Sequence, residues 1–150
     1  MQPLLCDPGG TRDGQPVHAS CVALGARGLL LLGASGSGKS GLALVLMAFG
    51  ARLVADDRTL LTLRNGGLWA TCPAPIRGKI EARGMGILAA EPQEGAWIAA
   101  AVDLDRNETE RLPPPRSQVI QDNNIPLFLN GPGLHFAAGL IQYLKGERLT

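Results

Sequence analysis

Gly33-Ala34-Ser35-Gly36-Ser37-Gly38-Lys39-Ser40 spells the pattern G-x-x-x-x-G-K-[ST] between a run of leucines and a stretch with helical apolar spacing. Glycines at these positions let backbone N–H groups converge on phosphate oxygens, and the N-terminus of a following helix adds positive potential. Lys39 can then reach between β- and γ-phosphates while Ser40 ligates Mg²⁺, so a nucleotide phosphate chain with Mg²⁺ is what the loop implies. A glycine-rich turn could match by chance, but the flanking strand and helix are the setting that a phosphate loop requires. Asp56-Asp57 follow a short apolar stretch one helix later, at the sheet edge where carboxylates can face the same phosphates. Neighbours on an extended chain point to opposite sides. One of the two acids can therefore bind metal while the other accepts a proton from an attacking hydroxyl. Without the loop, the same pair would read as a solvated turn or a helix cap.

Three further residues are silent by spacing alone. Glu81 sits between Lys79 and Arg83 in a glycine-studded stretch, which by itself indicates a surface ion pair. His18 is polar in an otherwise apolar strand, the usual setting of a hydrogen-bonded structural histidine. Arg111 shares a proline-rich segment with Arg106, Glu108 and Glu110, where a solvated charged loop is the default.

The elements that must hold these groups can be read from the pattern. The chain has 150 residues, 45% of them hydrophobic, enough for one core. Residues 1–15 read as a flexible N-terminal arm, and 16–150 as one catalytic domain. Val17–Leu24 and Leu29–Leu32 predict a hairpin, the four leucines being the signature of a strand buried on both faces. Lys39–Phe49 predicts a helix ending at Gly50, and Arg52–Ala55 a strand. Asn65-Gly66 predicts a tight hairpin between Thr59–Arg64 and Leu68–Cys72. Pro73–Gly86 reads as irregular, Trp97–Leu104 as a strand, Arg106–Arg116 as a loop, Ile125–Leu129 as the last strand, and Leu134–Lys145 as a helix.

Composition excludes several classes. A net charge of +1 leaves no basic face for nucleic acid and no polybasic membrane anchor. The longest apolar runs fall short of the roughly 20 residues of a membrane helix. Met1–Asp13 has neither the basic start nor the apolar length of a signal peptide, so Leu4-Leu5-Cys6 does not read as a lipoprotein site. Three cysteines without a Cys-x-x-Cys pair fit a reducing cytoplasm rather than a disulfide framework or a cysteine zinc site.

Taken together, Val17-His18-Ala19, Gly33–Ser40, Leu53-Val54-Ala55-Asp56-Asp57 and Glu81-Ala82-Arg83-Gly84-Met85-Gly86-Ile87 resemble, in order and spacing, the catalytic domain of HPr kinase/phosphorylase, in a short form without the N-terminal domain of longer members. The resemblance covers residues 16–145. It implies an α/β phosphate-loop domain similar to phosphoenolpyruvate carboxykinase, with a mixed β-sheet and flanking helices. It implies an ATP- and Mg²⁺-dependent serine kinase acting on the phosphocarrier HPr or a paralogue, with dephosphorylation by phosphorolysis and homo-oligomers in the wider family. Residue by residue, it gives Lys39 and Ser40 the phosphates and Mg²⁺, Asp56 the acid/base role with His18 as neighbour, Asp57 and Glu81 the metal and phosphate region, and Arg111 the substrate's phosphate. The sequence departs from the family at Leu129-Asn130-Gly131-Pro132-Gly133-Leu134-His135, where two arginines are usual. A small-molecule kinase on the same scaffold and a nucleotide-sensing module without turnover are the alternatives. The charged loop 106–116 favours a protein substrate over the first, and the aspartate pair opposes the second.

Lys39→Ala removes a fixed charge from the point where phosphate charge develops. The purified variant is expected to melt with the wild type in a thermal shift and to show no nucleotide-dependent phosphoryl transfer.

Overall fold

A computed structural model describes residues 14–146, 148 and 149. Apart from its last two residues the expected N-terminal arm lies outside them, as does Cys6, and Gln15 already belongs to a strand. The elements are β1 (Gln15–Val17), β2 (Ala19–Leu24), β3 (Arg27–Leu32), α1 (Lys39–Ala48), β4 (Arg52–Ala55), β5 (Thr59–Arg64), β6 (Gly67–Thr71), a 3-10 turn at Ala74–Ile76, β7 (Lys79–Ala82), β8 (Gly86–Ala89), β9 (Gly95–Asn107), β10 (Ser117–Ile120), β11 (Asn123–Asn130) and α2 (Gly133–Lys145).

The main sheet runs β1-β5-β6-β9-β3-β2-β4, with β11 on β9 and β10 on β11. The β3–β9 and β9–β11 pairs are parallel and the other strand pairs antiparallel. The mixed α/β sheet curls until its two faces form separate cores. Leu29 and Leu31 pack toward both helices with Val22, Leu46, Leu53 and Val102. Leu30 points the other way, into Leu61, Leu68, Ala70 and Leu127. That alternation is why Leu29, Leu30 and Leu31 are all buried, with Leu32 partly exposed at the strand's end, as expected of a central strand. Asn65 and Gly66 have φ of 48° and 80°, the left-handed pair that a tight hairpin needs.

Four expectations are corrected. The strand expected over Val17–Leu24 breaks at His18, because β1 pairs with β5 whereas β2 pairs with β3 and β4. The stretch expected to be irregular holds the β7–β8 hairpin. Its signal is a single alternation, Ile80 and Ala82 buried against exposed Lys79 and Glu81, among glycines that hide it. β9 is longer at both ends than expected and takes Arg106 into the strand. It serves β3 on one edge and, on the other, β6 near its start and β11 near its end. The last strand, expected over Ile125–Leu129, spans Asn123–Asn130 as β11 and pairs with an additional half-exposed edge strand, β10.

Leu30 is fully buried at the centre of the sheet. Leu30→Ala leaves a cavity that its strand neighbours cannot close, and chemical denaturation is expected to show a loss of about 2–5 kcal/mol.

Candidate functional site

The site forms where three strand ends meet. β2 lies between β3 and β4 and runs antiparallel to both. Its N-terminal end is therefore flanked by the C-terminal ends of β3, which leads into the glycine loop, and of β4, which leads into Asp56-Asp57. The loop turns tightly, with Ser37 N–H donating to the Ala34 carbonyl at 2.9 Å, and α1 starts at Lys39. Gly33 has φ +149°, and a Cβ there would stand 2.4 Å from Ser37 Oγ, so only glycine fits. Lys39 is 5% exposed. Its Nζ donates to the Gly33 and Ala34 carbonyls at 2.8 and 3.1 Å. A buried ammonium whose hydrogen bonds all go to neutral carbonyls is a charge waiting for an anion. From the end of β9, the Asp105 carboxylate accepts the Ala34 N–H at 3.0 Å and is itself fixed by its N–H on Asp103 Oδ1 at 2.9 Å; neither acid stands out in the sequence.

Asp56 is 8% exposed. Its Oδ1 accepts from Ser40 Oγ at 2.6 Å and Ser20 Oγ at 2.8 Å, and its Oδ2 from the Glu81 backbone N–H at 3.0 Å. Asp57 follows with φ +69°. Its N–H donates to Ser20 Oγ at 2.9 Å and its carbonyl accepts the Ala19 N–H at 3.1 Å. The Asp57 carboxylate, well exposed, holds His18 Nε2 at 2.8 Å. A carboxylate only accepts, so Nε2 carries the proton of that bond. His18 thus neighbours Asp57 and not Asp56, while Ser40, expected on the metal, sits on Asp56. Glu81 brings its backbone to the site and leaves its side chain exposed on β7. Ser20 was silent in the sequence, because a small polar residue in a strand carries no spacing signal.

Arg111 lies elsewhere. It is exposed and lines a cavity of about 950 Å³ between residues 108–113 and α2. The loop is closed at its base by Glu108, whose carboxylate takes Arg116 Nε and Nη2 at 3.0 and 2.9 Å together with the Thr109 and Glu110 N–H groups. Arg148 donates to the Pro113 carbonyl from the other side. The Arg116 hydrogen bond, more than any other influence, holds the Glu108 carboxyl below its ordinary range.

Among the described residues no three His, Cys, Asp or Glu side chains gather to hold a metal. Mg²⁺ needs less, since one or two carboxylates with substrate phosphates suffice. The Ser40 hydroxyl on the Asp56 carboxylate, beside Lys39, fits that donor set. Burial pushes the Cys21 and Cys72 thiols up, so neither is poised as a nucleophile. No helix among the described residues is long and apolar enough to cross a membrane.

A family model described as the HPr serine kinase C-terminal domain matches residues 12–99. An HPr kinase/phosphorylase of Xanthomonas campestris pv. campestris is 35% identical over 105 residues, spanning 65% of this chain and 33% of the relative. The same figures hold for an HPr kinase/phosphorylase of Xanthomonas oryzae pv. oryzae. The chain thus matches about a third of the length of these curated relatives. Among solved structures, the Hpr(Ser) kinase/phosphatase from Coxiella burnetii superposes with a TM-score of 0.69 at 26% identity, covering 87% of this chain and 88% of that one.

Because the folded state lowers the Glu108 value, the stabilisation from its clasp is complete above the ordinary glutamate value of 4.5 and is lost as pH falls through the lowered one. An acid NMR titration should show the Thr109 and Glu110 amides shifting together with a midpoint below 4.5, and Glu108→Gln should abolish that transition.

Proposed function

The chain belongs to the HPr serine kinase C-terminal domain family, and from that membership we propose that it transfers the terminal phosphoryl group of ATP to a serine hydroxyl of the phosphocarrier HPr or a paralogue. The observation that carries the reading is the unbroken chain of hydrogen bonds Ser40–Asp56–Ser20–Asp57–His18 beside the phosphate loop. It offers one buried carboxylate next to the loop and one exposed carboxylate facing outward. A nucleotide sensor has no use for the second.

The geometry supports exchanging the roles that the sequence assigned to the two aspartates. Asp56 is buried, with three donors on its two oxygens, one of them the loop serine. It suits the metal side, with Ser40, and has no free face for an incoming protein. Asp57 is open to solvent, and its Oδ1 is oriented by His18. It suits the proton. In the forward reaction the seryl oxygen forms its bond to the terminal phosphorus, the bond to the ADP oxygen breaks, and the seryl proton passes to Asp57. Ser40 and Asp56 would hold Mg²⁺ together with the nucleotide, and the bound ion would neutralise phosphate charge. Lys39 trades its two loop carbonyls for phosphate oxygens. Glu81, whose backbone N–H holds Asp56, would serve the metal side with its exposed carboxylate, and Arg111, which lies away from this cluster, would have to come from its loop to meet the substrate's phosphate. In dephosphorylation by phosphorolysis, which the family resemblance implies, inorganic phosphate bonds to the phosphoserine phosphorus as the bond to the seryl oxygen breaks, giving pyrophosphate, and Asp57 relays a proton from the attacking phosphate to the departing seryl oxygen. A cytoplasmic setting is part of this reading, supported by three cysteines in a number and spacing that suggest no disulfide framework.

The two aspartate variants test the reading by transfer of labelled phosphate to purified phosphocarrier across a Mg²⁺ titration. Asp57→Asn is expected to keep ATP and Mg²⁺ affinity and lose transfer by roughly 10²–10⁴-fold. Asp56→Asn is expected to raise the Mg²⁺ requirement. The reverse pattern restores the assignment made from sequence, and full transfer by both variants overturns the site.

A further inference from the structure

We propose that Ser20 is a positioning residue of the transfer reaction, its one buried hydroxyl setting Asp56 and Asp57 in their separate environments; this rests on the function proposed above. Ser20 is fully buried on β2, two residues after His18 and one before Cys21. A serine hydroxyl has one hydrogen to donate and lone pairs to accept with. The hydrogen goes to Asp56 Oδ1 at 2.8 Å, and a lone pair takes the Asp57 backbone N–H at 2.9 Å. One atom thus ties the side chain of one aspartate to the backbone of the next.

The backbone end of this tie bears on catalysis. Asp57 holds φ at +69°, a region that a non-glycine residue keeps only where its surroundings fix it. Two bonds from β2 fix the residue, Ser20 Oγ on its N–H and the Ala19 N–H on its carbonyl. Alanine at position 20 retains the second and loses the first. The φ angle also sets the direction of the Cα–Cβ bond, and so where the Asp57 carboxylate stands relative to His18. Asp56, in contrast, keeps Ser40 and the Glu81 N–H without Ser20. The neighbours Ala19, Cys21 and Val22 are apolar and equally buried, so packing alone does not call for a hydroxyl here. A fully buried polar group has to be satisfied by hydrogen bonds, and Ser20 spends its bonds on the two aspartates.

Loss of the hydroxyl is therefore expected to act on the proton side and spare the nucleotide side. In Ser20→Ala, kcat for phosphocarrier phosphorylation should fall by about 10–100-fold, the scale of a misplaced catalytic group, while KM for ATP stays at the wild-type value. In the nucleotide-free protein, NMR hydrogen exchange of the Asp57 amide should quicken, with the Glu81 amide unchanged. In an Asp57→Asn background, Ser20→Ala should add no further loss in single-turnover transfer. A residue that merely holds the fold together would multiply its loss onto that background and raise KM with it. Ser20→Cys, which keeps the side chain's bulk with a weaker hydrogen-bonding group, should change kcat and Asp57 exchange in the same direction and covers the case of an alanine variant that does not fold. Wild-type kcat in both variants, an Asp57 amide as protected as in the wild type, or multiplicative losses overturns the inference. A wild-type protein that phosphorylates no phosphocarrier defeats the proposed function instead, and the Asp57 exchange still decides whether Ser20 holds that backbone.

Discussion

At the end of β4 the chain carries two carboxylates on consecutive residues, and like charges held close destabilise each other unless the fold points them apart and gives each its own partners. The separation is made by the backbone. The strand ends at Ala55, Asp56 turns inward to three donors, and Asp57 enters the left-handed region at φ +69°, which sends its carboxylate out to His18. Aspartate tolerates that region better than most residues, although it still costs energy. The cost is met by hydrogen bonds from β2. Everything that distinguishes the two acids chemically, one buried beside the phosphate loop and one exposed, follows from this one turn.

The turn in turn depends on strand order. With β2 inserted antiparallel between β3 and β4, its first residues sit between the glycine loop and the aspartates, so His18 and Ser20 meet groups 36 to 39 residues away in sequence. β9, on the other edge of β3, brings Asp105 to the Ala34 amide of the loop by the same logic. In the loop itself Lys39 folds back on the Gly33 and Ala34 carbonyls, and α1 starts immediately behind it. The charged segment carrying Arg111 is held at its base by the Glu108–Arg116 pair and at Pro113 by Arg148, with Thr109–Leu112 exposed between them.

How much of this was legible in the sequence depended on whether the signal is local. The phosphate loop, α1, the leucine strand and the Asn-Gly hairpin are each specified by contiguous residues, and their local rules agree with the fold. Lys39, Ser40, Asp56, Asp57 and His18 are all singled out in the sequence, the histidine through family resemblance, and the fold brings them to one end of β2. The partner of each was not. Alternation along a strand correctly suggests that adjacent acids diverge, but which one faces inward is decided by a left-handed turn that no spacing encodes. Ser20 and Asp105 escaped because their partners come from other strands. The β7–β8 hairpin escaped because two buried side chains among glycines make too short a pattern.

The central claim is that a protein serine is the acceptor of the phosphoryl group. The most direct measurement is mass spectrometry of purified HPr after incubation with the chain, ATP and Mg²⁺, with the modified residue located by fragmentation. The account predicts one added phosphoryl group on a serine, absent when Mg²⁺ is chelated. An unmodified phosphocarrier in the presence of a folded, ATP-binding chain would contradict it.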